Sequence, residues 1–248
     1  MSNIRKNNKN RIISIKMETL LEFRRRLLVW YENNGRNFPW RKKSVSKYKL
    51  IISEVLLQRT RAVTVANFFN TFIEKYPSWK KLAKAKKSEI GEIIRPIGLW
   101  KRRALTLKQL AIFMSNRNGR FPRTRDEIEA MPGVGQYITN AILLQCHGEA
   151  QPLLDVNMAR VLERVFGPRK LADIRYDSYL QELSLKVVQC KESKEMNWAI
   201  LDLAASKCIP RRPRCKTCPL ESMCLRVRKD RVRQGDISFV LFKLYFLL

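Results

Sequence analysis

The stretch Arg125–His147 reads RDEIEAMPGVGQYITNAILLQCH, and its punctuation decides the fold. A short helical run ends near Met131, Pro132-Gly133-Val134-Gly135 makes a tight turn, and apolar residues resume at helical spacing through Tyr137, Ala141 and Leu144. Glycine suits a turn that a side chain would obstruct. The backbone N–H groups around Gly133, Val134 and Gly135 are then left at a helix start, where an anion is stabilised. Two glycines in a turn are also an ordinary loop, so the turn alone leaves both readings open.

The helical period continues on both sides. Leu50, Ile51, Val55, Leu56 and Leu57 recur at three and four, and only nine glycines interrupt the chain. Breaks fall at Asn33–Pro39, Tyr76–Trp79, Arg95–Gly98, Asn118–Pro122, Pro132–Gly135, His147–Pro152 and Gly167–Pro168. No stretch alternates at strand period, and no internal repeat appears, so an all-α fold is predicted and a parallel-sheet enzyme excluded.

With 248 residues, 45% of them hydrophobic, the chain can bury one large core or two small ones. Fifty Lys and Arg against 22 Asp and Glu leave a net charge of +28, which points to a polyanion as partner, with a generically basic protein as the plainer alternative. The first sixteen residues are basic and lack the apolar core of a secretory signal, so an intracellular protein is expected, in cytoplasm or nucleoid, or in the nucleus of a eukaryote. Ile237–Leu248, ISFVLFKLYFLL, is apolar but short of the roughly 20 residues a bilayer requires. It reads as a segment that packs on the domain or a partner, and no membrane is expected.

Six cysteines in a reducing compartment do not form a disulfide framework. Cys146 and Cys190 read as ordinary buried thiols, whereas Cys208, Cys215, Cys218 and Cys224 are spaced C-x6-C-x2-C-x5-C. That quartet suits tetrahedral zinc or a [4Fe–4S] cube, and the spacing does not choose between them. Its first loop carries Arg211, Arg212 and Arg214 and would present them to phosphate. Upstream, Asp155 stands just before a helix whose Met158, Val161, Leu162, Val165 and Phe166 share one face. The local reading is an N-cap, which does not prevent the same carboxylate from facing a cleft.

The PGVG hairpin, an aspartate 20 residues beyond its second glycine and the cysteine quartet together resemble the endonuclease III superfamily of DNA glycosylases, over residues 20 to 225. The resemblance implies a two-lobed helical fold. A six-helix barrel with the helix-hairpin-helix would span 42–150, and a cluster lobe would be assembled from 17–41 and 151–226. Residues 1–16 would form a basic tail and 227–248 a tail of unknown role, with the DNA cleft between the lobes. It further implies a [4Fe–4S] cluster rather than zinc on the four cysteines, and Asp155 as the carboxylate that stabilises the sugar cation and orients water.

Strand-cleaving members carry lysine two residues past the last hairpin glycine, where this chain has Tyr137. A phenol forms no imine, so a monofunctional enzyme is expected. Glu54, within SEVLLQRT, matches a glutamate shared by the A/G-specific adenine glycosylases and the thymine-DNA mismatch glycosylases. The GVG-x-Tyr pattern favours the thymine branch, acting as a monomer on duplex DNA with thymine or uracil opposite guanine. Adenine removal from A·G or A·8-oxoguanine is the alternative, and a non-catalytic zinc-stabilised DNA-binding protein is the alternative of another class. Leu99 and Arg59 match the family's wedge positions, Gln58 the reader of the widowed guanine, and Arg102 and Arg103 are added as phosphate anchors. Without the resemblance Tyr137 and Leu99 would read as core residues, Glu54 as an exposed helical glutamate, and Gln58 and Arg59 as surface polar groups.

Overall fold

A computed structural model describes residues 15–42 and 44–233, so the basic residues at the start and the apolar stretch 237–248 lie outside the described residues. Twelve α-helices carry the described chain, with no strand among the described residues. They are α1 (Met17–Asn34), α2 (Lys47–Leu57), α3 (Ala62–Lys75), α4 (Trp79–Lys84), α5 (Lys87–Ile94), α6 (Trp100–Asn116), α7 (Arg125–Glu129), α8 (Gln136–Ile142), α9 (Val156–Phe166), α10 (Ser178–Val188), α11 (Ser193–Ser206) and α12 (Leu225–Arg233). The chain divides into two compact units, one formed by Arg36–Gln151 and the other by the segments up to Gly35 and from Pro152 onward.

In the unit Arg36–Gln151, α2 is the central element. Tyr48, Leu50, Ile51, Ile52, Ser53, Glu54, Val55 and Leu56 are all buried, because apolar residues fall on every side of the helix and carry Ser53 and Glu54 inward with them. Around it pack Val65, Phe69 and Phe72 of α3, Ile90 and Ile94 of α5, Leu107, Leu110 and Met114 of α6, and Ile138 and Ile142 of α8. Phe38 and Trp40 stack at 4.9 Å and lie in this same core. The expected boundary at 41/42 therefore differs from the observed one, because two large aromatics carry the 36–41 segment into this unit. After α8 the helix widens into a π turn, Leu143–His147, and stops at Gly148, whose φ of 75° no side-chain-bearing residue adopts cheaply.

The other unit is built on α9, whose Met158, Val161, Leu162 and Val165 pack against α1 through Leu20, Phe23 and Leu27, against α10 through Leu180, Leu183 and Val187, and against α11 through Met196, Ile200 and Leu203. Arg24 of α1 donates to the carbonyls of Val187 and Lys186, satisfying the last turn of α10. Val227 is buried, so α12 belongs to the fold to Arg233, beyond the point where a tail was expected to begin. Among the described residues no helix is long and apolar enough to cross a membrane.

Asp177 is fully buried at the start of α10. Its Oδ1 accepts the Leu180 N–H at 2.8 Å and its Oδ2 those of Lys170 and Leu171, each at 2.9 Å. One carboxylate thereby closes the loop from 170 to 177 onto the helix. Asp177→Ala is expected to lower stability by about 2–4 kcal/mol, because one buried and two half-buried N–H groups lose a charged acceptor. Urea unfolding monitored by circular dichroism checks this.

Candidate functional site

Within the unit Arg36–Gln151, Glu54 is carried inward by the apolar surface of α2 and is 4% exposed. The Tyr137 hydroxyl donates to Glu54 Oε2 at 3.0 Å, joining the first turn of α8 to the middle of α2 across 83 positions of sequence. The Tyr137 ring packs partly against the core, so the plain packing role and a polar role coexist in one side chain. Glu54 is not the exposed helical glutamate that local pattern alone would suggest.

The hairpin is fixed from both ends. Thr124 and Glu127 form a reciprocal capping box on α7, and Arg125 donates to Glu129 at 3.1 Å and, across the turn, to Asn140 Oδ1 on α8 at 2.9 Å. Gly133 has φ 72°, and a Cβ there would stand 2.3 Å from Thr106 Cγ2, so backbone and packing both demand glycine. Gly135 differs: its φ is −118° and a Cβ would meet nothing within 4 Å. Its surroundings in the chain do not require glycine, whereas close approach by an external group would.

Gln58, Arg59, Leu99 and Arg102 are exposed, Leu99 at 62%, and Arg59 and Leu99 adopt left-handed φ of 57° and 48°. Leu99 is thus not a core leucine. Arg103 departs from its expected role as a phosphate anchor. It is 7% exposed, and its guanidinium donates to Thr60 Oγ1 at 2.8 Å, to the carbonyls of Leu56 at 3.4 Å and Ile97 at 3.3 Å, and to that of Gln58. Both terminal nitrogens are engaged inside the protein, and burial lowers the guanidinium's pKa.

In the other unit Asp155 is the N-cap of α9. Oδ1 accepts the N–H groups of Asn157 at 2.9 Å and Met158 at 2.8 Å, and Oδ2 accepts Asn157 Nδ2 at 2.6 Å. Asn157 Oδ1 in turn accepts from Arg160 at 3.1 Å, and Arg160 also donates to the carbonyls of Cys208 at 2.8 Å and Ala204 at 3.0 Å. Just before the cap, the Leu153 N–H donates to the buried Asn197 Oδ1 at 2.7 Å. Asn157, Arg160 and Asn197 were not singled out in the sequence. No local pattern sets them apart, since the same helices carry other polar residues such as Glu163, Arg164, Glu195 and Asp202.

Cys208, Cys215, Cys218 and Cys224 all line one cavity, walled also by Val161, Val165, Leu203, Leu220 and Val227. All four are free thiols, and burial pushes Cys218 up to about 11 and raises Cys215 and Cys224. Among the described residues no group of three His, Cys, Asp or Glu side chains is arranged to hold a metal ion. Four thiols lining one cavity are the soft donor set that either tetrahedral zinc or an iron–sulfur cube takes. Arg164 donates to the carbonyls of Ile209 at 2.8 Å and Pro210 at 2.9 Å and to Cys208 Sγ at 3.3 Å, and the Cys224 thiol reaches the Arg164 carbonyl at 3.2 Å. The next residues of that loop, Arg211, Arg212 and Arg214, are exposed.

Residues 52–206 match the HhH-GPD superfamily base excision DNA repair protein family. A thymine-DNA glycosylase of Aeropyrum pernix is 36% identical over 212 residues, covering 84% of this chain and 95% of the relative. A thymine/uracil-DNA glycosylase of Pyrobaculum aerophilum is 36% identical over 214 residues, covering 84% of this chain and 93% of the relative. The solved structure of a thermostable thymine-DNA glycosylase superposes with a TM-score of 0.74 at 32% identity, covering 90% of this chain and 99% of that one.

The two hairpin glycines should separate on substitution. Gly133→Ala is expected to cost about 2–4 kcal/mol, from a strained φ and the collision with Thr106. Gly135→Ala should stay within about 1 kcal/mol of the parent. Chemical denaturation of the two variants measures the difference.

Proposed function

The chain belongs to the HhH-GPD superfamily of base excision DNA repair proteins and is a DNA glycosylase like its relatives. On that premise we propose that it hydrolyses the N-glycosidic bond of thymine or uracil mispaired with guanine and leaves the DNA strand intact. The observation that carries this reading is Tyr137 bonded to Glu54 at the start of α8, where an imine-forming lyase would need an amine.

A base must leave the stack before its sugar bond can be reached, and the cost of a few kcal/mol is lowest at a mispair. When the C1′–N1 bond breaks, its electron pair stays on the pyrimidine, whose carbonyl oxygens gain negative charge. Glu54 would supply, in its protonated form, a carboxyl able to donate a hydrogen bond or a proton to such an oxygen, and the Tyr137 hydroxyl, which donates to Glu54, would hold it in place. The sugar gains positive charge, which the Asp155 carboxylate stabilises while orienting water for attack at C1′ and accepting its proton. Asn157 and the two backbone N–H groups hold that carboxylate in place beforehand.

Phosphates would meet the N–H groups at Gly133–Gly135 and the side chains of Arg102, Arg211, Arg212 and Arg214, and binding would weaken steeply with salt. Cys208, Cys215, Cys218 and Cys224 would hold a [4Fe–4S] cluster in preference to zinc. When bound, such a cluster cross-links the loop that presents these arginines.

Duplexes bearing G·T, G·U, A·G and A·8-oxoguanine, incubated with the protein and treated with alkali, test the substrate. Thymine and uracil release is expected, with no adduct on borohydride treatment. Release of adenine but not thymine would overturn the substrate, and a trapped adduct would overturn the monofunctional mechanism. Purified protein should be brown and contain iron and acid-labile sulfide; a colourless zinc protein would contradict the cluster.

A further inference from the structure

Two exposed side chains of the unit Arg36–Gln151 stand on backbone that disfavours them. Arg59 interrupts the chain between α2 and α3 at φ 57°, and Leu99 begins α6 at φ 48° with its side chain 62% exposed. A left-handed non-glycine residue is strained by about 1 kcal/mol or more, and persists only where neighbouring structure over-determines it. Arg103 does this for both turns at once. Its backbone N–H donates to the Leu99 carbonyl at 3.0 Å, while its guanidinium grips the Gln58 carbonyl and Thr60 Oγ1, on either side of Arg59, and the Ile97 carbonyl two residues before Leu99.

Among the described residues this guanidinium donates to carbonyls and one hydroxyl, not to a carboxylate. Burying a cation in that way is costly unless it is hydrogen-bonded, and both terminal nitrogens of Arg103 are. What the arrangement fixes is the separation between an exposed leucine and an exposed arginine on two loops. An apolar wedge beside a cation is a pair of groups that suits entry between base pairs and contact with the flanking backbone.

We propose that Arg103 is a positioning residue that ties the Arg59 and Leu99 turns into one rigid two-pronged wedge, which unstacks the duplex at the target base pair. The proposal rests on the base-excision reading but not on which base is released. A planar fork with five donors can serve both turns; a lysine ammonium reaches one or the other.

The test is 2-aminopurine fluorescence beside a mispair, which reports unstacking without any chemistry, run on the full chain with Leu99→Ala as reference. Arg103→Lys keeps the charge, and Arg103→Met keeps most of the packing should Arg103→Lys fold poorly. Each is expected to lose most of the fluorescence rise and roughly 10- to 100-fold in single-turnover base release, with affinity for undamaged duplex unchanged. Combined with Leu99→Ala and Arg59→Ala together, Arg103→Lys should add no further loss, because missing prongs need no positioning. Additive losses, an undiminished fluorescence rise, or affinity for undamaged DNA falling in step with the rate would each overturn the proposal. Full unstacking by the parent protein without thymine release would instead count against the substrate reading alone.

Discussion

The structure turns on the Asp155 carboxylate, which closes the N-terminus of α9 and is closed in turn by Asn157. Three N–H donors within 2.9 Å leave it no rotational freedom, so its direction is set by the helix rather than by a substrate. The helix is itself immobilised by a core drawn from α1, α10 and α11. Arg160 extends the constraint from Asn157 to the carbonyls of Ala204 and Cys208, and Asn197 holds the chain that enters the cap. The carboxylate and the first cysteine of the quartet are therefore joined through two side chains and one helix. A preorganised charge of this kind stabilises a developing cation without first having to reorient.

The excess of cations has two destinations. With 50 basic side chains and 22 acidic ones, most cannot find a carboxylate, and several turn to backbone carbonyls instead. Arg24 closes the end of α10, Lys47 reaches the Cys146 carbonyl, Lys108 takes those of Ala83 and Ala85, and Arg103, Arg160 and Arg164 bind loop carbonyls. The charge that faces outward at Arg59, Arg211, Arg212 and Arg214 is thus carried on loops that other cations of the same chain hold in shape, and that of Arg102 on the first turn of α6.

Much of this was legible from one sequence because the informative residues are local. The hairpin glycines, the Asp155 cap and the spacing of four cysteines are each written within a few positions of one another. Gly133 earns its place twice over, by φ and by Thr106, and only the second reason needed coordinates. The turn between α2 and α3 was missed, since Gln58-Arg59-Thr60-Arg61 contains neither glycine nor proline and is bent by Arg103 from outside. The Glu54–Tyr137 pair spans 83 positions, and Arg103 looks like any residue of a basic helix until its partners are seen. The 36–41 segment belongs with the unit that buries Phe38 and Trp40, which no linear pattern announced.

Asparagine caps a helix about as well as aspartate but carries no charge, so Asp155→Asn separates the structural duty of this residue from its chemical one. The decisive measurement is single-turnover base release from a mispaired duplex by the Asn variant, alongside its affinity for the same duplex. Binding close to that of the parent with a rate lower by about 10³-fold or more is expected. Base release at the parent rate would contradict the assignment of Asp155 as the catalytic carboxylate.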